Sequence, residues 1–358
     1  LRRVTDYIFK VASCQSRSCV AKLSPASWSS RDADLKGAGG PMLVRPAMRE
    51  YRTWIMDSRR WTSYRPRLDD VVVATYSKCG TTWMQRIVSL LIFQSPEPLP
   101  LSKIAPWIEK RFPLAIETVI ADFEGQSHRR AMKTHLPFDG LPIFDEVKYI
   151  HVARDGRDAC LSFHNHGTGL TETTLAELDR AGVADEMIGK PYPRTPEDPS
   201  TYFRSWLSES ALPGCSDGYQ TVSFFDMEGT YWEERNRSNL LLVHYSDLKA
   251  DLEGETRRIA TFLNIKVAED TWPVLVEAAG FETMKRHGDK LMPIVDIMFK
   301  GGKDRFFNKG QSGRWKDIFS SQDLAVYDAK LAAKLPPACI RWLEGGRRAS
   351  GDPSVSNG

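Results

Sequence analysis

An unbroken apolar run that passes through a glycine turn directly into a helical pattern restricts the folds open to this chain. Val71-Val72-Val73-Ala74 shows no polar alternation, which suits a strand buried on both faces rather than one with a face open to water. Beyond Gly80, residues 82–94 carry apolar side chains at Trp83, Ile87, Leu90 and Leu91, a helical spacing, and Pro96, Pro98 and Pro100 stop the helix. The same alternation recurs at 130–135, at 147–153 with a helix through His164, and at 239–245 with a helix over 252–263. Repeated strand–helix units predict an α/β fold: one domain with a central parallel sheet flanked by helices.

The rest of the chain frames that domain. Residues 1–47 are Ser-, Arg- and Gly-rich without a sustained period, and read as a disordered tail, with Met42 or Met48 as candidate starts. Residues 48–345 are assigned to the domain, and 346–358 to a flexible polar tail. The aromatic-rich stretch 49–61 predicts a short helix. Residues 166–200, rich in Gly, Pro and Thr, predict an irregular lid or binding loop, and 288–314 a second mobile segment. The net charge of +3 hides an asymmetry: residues 1–48 hold eight Lys or Arg against three Asp, so the remainder is slightly acidic. Nothing there builds a nucleic-acid surface. The longest apolar stretches, as around Leu90 to Phe93, are far too short to span a bilayer. Six cysteines (Cys14, Cys19, Cys79, Cys160, Cys215, Cys339) lack metal-ligand spacing and read as reduced thiols in the cytoplasm.

Three clusters carry chemistry. Tyr76-Ser77-Lys78-Cys79-Gly80-Thr81-Thr82-Trp83 joins the first strand to its helix. The amides that open a helix lack internal partners and sit at its positive dipole end, an anion cradle. Gly80 admits close approach, Thr81 and Thr82 add hydroxyl donors, and Lys78 adds a mobile charge. Lys78 precedes the glycine, so the G-x-x-x-x-G-K-[ST] template is not met; a plain turn capped by Thr is the simpler alternative. Lys133 and His135, two apart on a strand, leave the same face, and an imidazole there suits a general base, or else a core histidine. Arg154 ends another strand, with Ser162 two helical turns on. An arginine there implies a second anion site, unless it pairs with Asp155 or Asp158.

Together these blocks resemble the sulfotransferase family whose cytosolic members use 3′-phosphoadenosine 5′-phosphosulfate (PAPS). Tyr76 to Trp83 match the family's Y-P-K-S-G-T-T-W at all but Ser77 and Cys79, and Lys133-Thr134-His135-Leu136-Pro137 matches its catalytic-base segment. Arg154-Asp155-Gly156-Arg157-Asp158 with Ser162 resembles the 3′-phosphate segment, and His244 to Lys249 the block whose Tyr245 contacts the cofactor. Asn308-Lys309-Gly310 through Gly313-Arg314-Trp315-Lys316 resembles the C-terminal R-K-G-x-x-G-D-W-K loop. Residues 85–91 and the His128-Arg129-Arg130 lead-in are nearer to bacterial glycolipid-type members. The likeness covers roughly residues 50–345.

That resemblance implies a P-loop nucleoside-triphosphate-hydrolase-like fold and transfer of a sulfuryl group from PAPS, without a metal. The acceptor is a hydroxyl of a small-molecule, glycolipid or other lipid-like compound. It makes His135, Lys78 and Lys133 the catalytic set. Around the cofactor it places Lys78, Cys79, Gly80, Thr81, Thr82, Trp83, Arg154, Ser162, Tyr245, Phe281, Asn308, Lys309 and Gly310, with Trp83 and Phe281 on the adenine. Two departures matter: Asn308 stands where the family has Arg, and Arg314 where it has Asp, which predicts a weaker grip on the 3′-phosphate. The animal members' dimerisation motif is not evident, and a homodimer stays open. Trp107, Phe112, Phe138 and Phe163 are candidate walls of an apolar acceptor cleft. Two rival readings remain. A phosphate-loop kinase or NTPase wants a Lys after the glycine turn and a strand-end Asp for Mg²⁺; a non-catalytic adenosine-bisphosphate-binding module would not need both Lys78 and His135.

Overall fold

A computed structural model describes residues 40–210, 215–308 and 310–355. Its six strands are β1 (Leu43–Arg45), β2 (Val71–Thr75), β3 (Ala131–Thr134), β4 (Ile143–Phe144), β5 (Lys148–Ala153) and β6 (Leu240–His244). Four of them form one parallel sheet in the order β3-β2-β5-β6, while β1 and β4 make a separate antiparallel pair. The register sets Val73 beside Lys133 and Ile150, and Ala153 beside His244.

All five residues of β2 are buried, and alternation divides them between two cores. Val71 and Val73 pack with Ile87, Val88 and Val243 on one face; Val72 and Ala74 pack with Met132, Tyr149 and Phe224 on the other. Burying each valine contributes roughly 1.5–3 kcal/mol. That two-faced burial is the reason the run is apolar without alternation. At the entrance to the sheet, Arg130 Nε donates to Asp70 Oδ1 at 2.8 Å, tying the starts of β2 and β3 together.

The helices that frame the sheet and its ligand-binding edge are α1 (Thr81–Phe93), α2 (Gly156–Thr168), α3 (Glu172–Val183), α4 (Tyr245–Ala250), α5 (Leu252–Phe262), α6 (Trp272–Ala279) and α7 (Gly302–Phe307). Because the strands run parallel, their carboxyl ends share one edge of the sheet, where open α/β sheets bind ligands. Lys78 lies three residues beyond β2, and His135, Arg154 and Tyr245 directly follow β3, β5 and β6.

The structure corrects several boundaries. Residues 43–45 pair with β4 and so belong to the fold rather than to a tail ending at 47; residues 1–39, with Cys14 and Cys19, lie outside the described residues. Residues 49–61 do not form a helix. Trp54 and Met56 are drawn into different clusters, and only Ser58–Ser63 coil into a 3-10 turn capped by Asp57. The C-terminal segment is not loose through residue 355. The amides of Arg347 and Arg348 donate to the Asp247 carboxylate at 2.7 and 3.1 Å, Arg347 pairs with Glu255, and Arg235 donates to the Pro353 carbonyl. Among the described residues no helix is long and apolar enough to cross a membrane.

Candidate active site

The loop after β2 is built to leave amides free. Tyr76 is anchored in the core, its hydroxyl accepting from Trp206 Nε1 at 2.8 Å. Lys78 and Gly80 take positive φ values of 73° and 105°. A Cβ at Gly80 would also sit 3.1 Å from the Tyr245 ring, so the position favours glycine on two counts. Helix α1 has no side-chain cap, and Met84 N–H to Gly80 O at 2.9 Å joins Met84 to the cap residue. The amides of Thr81, Thr82 and Trp83 therefore open toward a cavity of about 840 Å³ that these residues line with Lys78. Thr81 Oγ1 lies 2.6 Å from Thr75 Oγ1. Cys79 departs from expectation: its side chain is fully buried in the core beside Ala153 and Cys160, and its N–H is spent on Tyr76 O. It shapes the turn without reaching the cavity.

His135 and Lys133 share a face, as their spacing predicts, and both meet Trp107: the imidazole lies edge-on at 4.9 Å and the ammonium 4.6 Å over the ring. The His135 Nδ1 lies 2.8 Å from Thr75 O, which makes it the protonated nitrogen and leaves Nε2 as a free acceptor. Burial, then the neighbouring Lys133, holds the His135 pKa down at about 3, so the ring is neutral at working pH. Burial, reinforced by Arg154, lowers Lys78 to about 8, and burial with Lys110 does the same for Lys133.

Beneath them lies a residue that no sequence motif singled out. The buried Glu109 carboxylate accepts from His135 N at 2.7 Å, Thr134 Oγ1 at 2.9 Å, Trp107 Nε1 at 2.6 Å and Trp61 Nε1 at 3.0 Å. It fixes the end of β3 and the tryptophan that faces the imidazole.

Arg154 reaches the same cavity from β5. Its guanidinium donates to Lys78 O and Gln311 O, both at 3.2 Å, lies 4.3 Å over the Tyr245 ring, and keeps Nε buried without a partner. The adjacent acids are otherwise engaged. Asp155 takes a bidentate pair from Arg157 at 2.9 and 2.7 Å, and Asp158 accepts Gly313 N at 2.9 Å. Arg157 also lies 3.9 Å over Trp315. The acids of this block thus hold the C-terminal loop in place and leave Arg154 free for an anion. Ser162, Tyr245, Phe281, Asn308 and Gly310 all line the cavity. Lys309 lies outside the described residues. Trp83 is fixed by Nε1 to Ala279 O at 2.8 Å and meets Tyr245 edge-on at 5.3 Å, with Phe281 packed against Gly310. Arg314, one of the two departures, is half-buried on the cavity wall and has no ion pair or hydrogen bond among the described residues.

Residues 166–200, expected to be irregular, contain the helix α3, capped by Thr171, and they pack with the segment 288–314, which contains α7, to form a roof. They join through Lys300 N to Gly169 O at 2.8 Å, Thr171 N to Met298 O at 3.0 Å, and Arg305 to Asn165 O and Thr168 Oγ1. Their inner side chains, including Leu170, Leu178, Val295 and Phe299, form a small core of their own above the cavity. Trp107, Phe112 and Phe163 line the cavity, as expected of an acceptor cleft. Phe138 does not: it is buried against Tyr149 and Tyr231 beneath Arg45. His166, unremarked in the sequence, also reaches the cavity; burial first, then Lys78, keeps its imidazole neutral. No group of three or more His, Cys, Asp or Glu is gathered for a metal among the described residues.

Comparison with known proteins gives concordant similarities. A family profile described as "Sulfotransferase domain" matches residues 68–336. A Mycobacterium tuberculosis protein named "Glycolipid sulfotransferase" is 33% identical over 309 residues, spanning 83% of this chain and 94% of its own length. The Mus musculus protein "Sulfotransferase 1B1" is 27% identical, spanning 76% of this chain and 85% of its own. The crystal structure of mouse sulfotransferase SULT7A1 complexed with PAP superposes with a TM-score of 0.57 at 19% identity, covering 78% of this chain and 89% of that one; that likeness concerns the fold.

Proposed function

The chain belongs to the sulfotransferase domain family, and from that premise we propose how its residues serve PAPS-dependent sulfuryl transfer and what they accept. The enzyme moves a sulfuryl group from PAPS to the hydroxyl of a small or lipid-like acceptor; in our reading the working domain takes in β1 and the packed segment through residue 355 as well as residues 48–345, the acceptor is a glycolipid or similar amphiphile, and the setting is the cytoplasm. The four free cysteines among the described residues support a reducing compartment.

The observation that carries the reading is the convergence of two separate cationic positions on one cavity, with a neutral imidazole between the walls. Lys78 and the α1 amides come from one strand–helix unit and Arg154 from another. The buried, unpartnered Nε of Arg154 and the uncapped α1 terminus fit a carrier with anions at both its 5′ and 3′ ends. PAPS supplies an activated sulfuryl group joined to its 5′-phosphate through a bridging oxygen.

The residues then divide the work. The amides of Gly80 to Trp83 hold non-bridging oxygens, and Lys78 stabilises charge on the bridging oxygen as the sulfur–oxygen bond breaks. His135 Nε2 removes the acceptor proton as the new sulfur–oxygen bond forms. Its low free-state pKa keeps that nitrogen unprotonated, and an anion held between Lys78 and Lys133 offsets the two cations that depress its basicity. Trp83, Tyr245 and Phe281 contact the adenosine. Asn308 cannot replace an arginine, and Arg314 on the same wall takes up that charge at the 3′-phosphate.

An acceptor screen with ³⁵S-labelled PAPS, comparing wild type with His135→Ala, tests this. Label is expected to transfer with wild type and to fall by about 10²–10⁴-fold in the variant, while adenosine 3′,5′-bisphosphate still binds. Binding without transfer to any hydroxyl acceptor would leave a nucleotide-binding module instead. ATP bound as tightly as the 3′-phosphorylated nucleotide would remove the cofactor assignment.

A further inference from the structure

Two lysines on the cavity wall are not used by the cofactor: Lys103, which is exposed to solvent, and Lys110, which is half-buried. Lys110 follows Glu109 in the segment that lies along β3, and it reaches the same cavity as Lys78, Lys133 and Arg154. Its backbone is fixed on the side away from the phosphate loop: Lys110 bridges to Met56, and Arg111 N donates to Ile55 O at 2.9 Å. The walls there are apolar, with Ile55, Met56, Phe112, Pro113 and Leu114. Lys78 and Lys133 at least lie over the rings of Phe306 and Trp107. The Lys110 ammonium has no hydrogen bond, ion pair or ring contact among the described residues.

Such a charge is costly. An ammonium half-buried in an apolar wall loses hydration, and Lys133 repels it. Burial holds its pKa down at about 8, so it still carries charge near neutrality. The carboxylates on the cavity wall do not relieve it. Asp158 takes Gly313 N on the Arg154 side, and Asp122 is exposed. Glu109 is closed off by its four donors. A cation placed this way is satisfied when a ligand brings the anion.

We propose that the acceptor is an acidic amphiphile, with an apolar body and a carboxylate, phosphate or sulfate close to the hydroxyl that is sulfated, and that Lys110 pairs with that acidic group. The proposal rests on the cofactor and acceptor reading above: Lys78 and Arg154 meet the two ends of PAPS, His135 meets the hydroxyl, and Lys110 lies on the acceptor side among the apolar walls. It converts a cleft selective for lipid into one selective for anionic lipid, because a neutral alcohol of the same shape leaves the ammonium desolvated and unpaired.

A medium-chain β-hydroxy fatty acid and its methyl ester make the comparison, since the ester keeps the hydroxyl and chain and removes the charge. Wild type is expected to favour the acid in kcat/KM by about ten-fold or more. In Lys110→Met that ratio falls to about one, Lys110→Arg restores most of it, and the KM for PAPS moves far less than the KM for the acid. Equal use of acid and ester by wild type overturns the proposal, as does a preference that survives Lys110→Met. A PAPS KM that rises as much as the acceptor's assigns Lys110 to the cofactor and overturns it too. If neither compound turns over, calorimetric titration of both into the adenosine 3′,5′-bisphosphate complex reads the same ratio. If that nucleotide does not bind, the cofactor reading has failed on its own, and the acid–ester difference in binding to the free protein decides the role of Lys110.

Discussion

At the scale of single residues, the site is a set of charges held away from water without their partners. Lys78, Lys110 and Lys133 each sit at about 8, pushed down first by burial. Near pH 8 a fraction of each is neutral in the free protein, and a bound anion favours the charged form. Binding of adenosine 3′,5′-bisphosphate at pH 8–8.5 should therefore take up protons, and its affinity should fall as the pH climbs above that range. Calorimetry in two buffers of different ionisation enthalpy measures the uptake; a value of zero would mean that no lysine pairs with the nucleotide. The arginines give a second prediction. Arg154→Ala and Arg314→Ala should each raise the apparent KM for PAPS by roughly ten- to a hundred-fold, as expected for losing a hydrogen bond to a charged group worth about 1.5–3 kcal/mol. The acceptor KM should change much less. Comparable shifts in both constants would put these guanidinium groups elsewhere in the reaction.

At the scale of elements, four strand ends deliver the functional side chains, two of them (Lys133 and His135) from β3, and a fifth piece, residues 106–110, sets the imidazole from below. Glu109→Gln keeps the volume but turns an NH₂ toward donors that need an acceptor, so kcat should drop by ten-fold or more, about 1.4 kcal/mol or above, while the nucleotide Kd stays within about two-fold. An unchanged kcat would make Glu109 a structural residue only. Glu109 also marks the limit of what a sequence can reveal. The β2, β3, β5 and β6 strands were readable because burial on both faces demands apolar runs, and the anion loop because a glycine must stand where φ is positive. Glu109 and Lys110 were not readable, since four donors meet that carboxylate only after distant segments pack. Helix α3 was hidden for a related reason: only Leu178 and Gly182 in it are buried, too few to print a helical period. Cys79 and Phe138 were assigned by neighbourhood, and the packing turned both into the core.

At the scale of the whole molecule, the sheet supplies a rigid floor and the paired excursions a roof, while the C-terminal segment locks α4 and α5 from outside. Ending the chain at Gly345 removes both backbone donors to Asp247 and the Arg347–Glu255 pair. Asp247 is buried and loses both of those donors, whereas Glu255 keeps Arg258 at 3.0 Å, so the truncated protein should lose about 1–3 kcal/mol for the Asp247 carboxylate left unpaired, read as a lower denaturant midpoint. An unaltered midpoint would show the segment to be ornamental. One more consequence lies at the margin of the sheet. Residues Pro106 and Trp107 lie along β3, with Lys133 N donating to Pro106 O at 2.9 Å. Proline has no amide to offer the next strand, so the segment that carries the catalytic neighbours also blunts an otherwise open flank. A second molecule finds no regular ladder there to extend, and the exposed border of the sheet is poorly suited to seed aggregates.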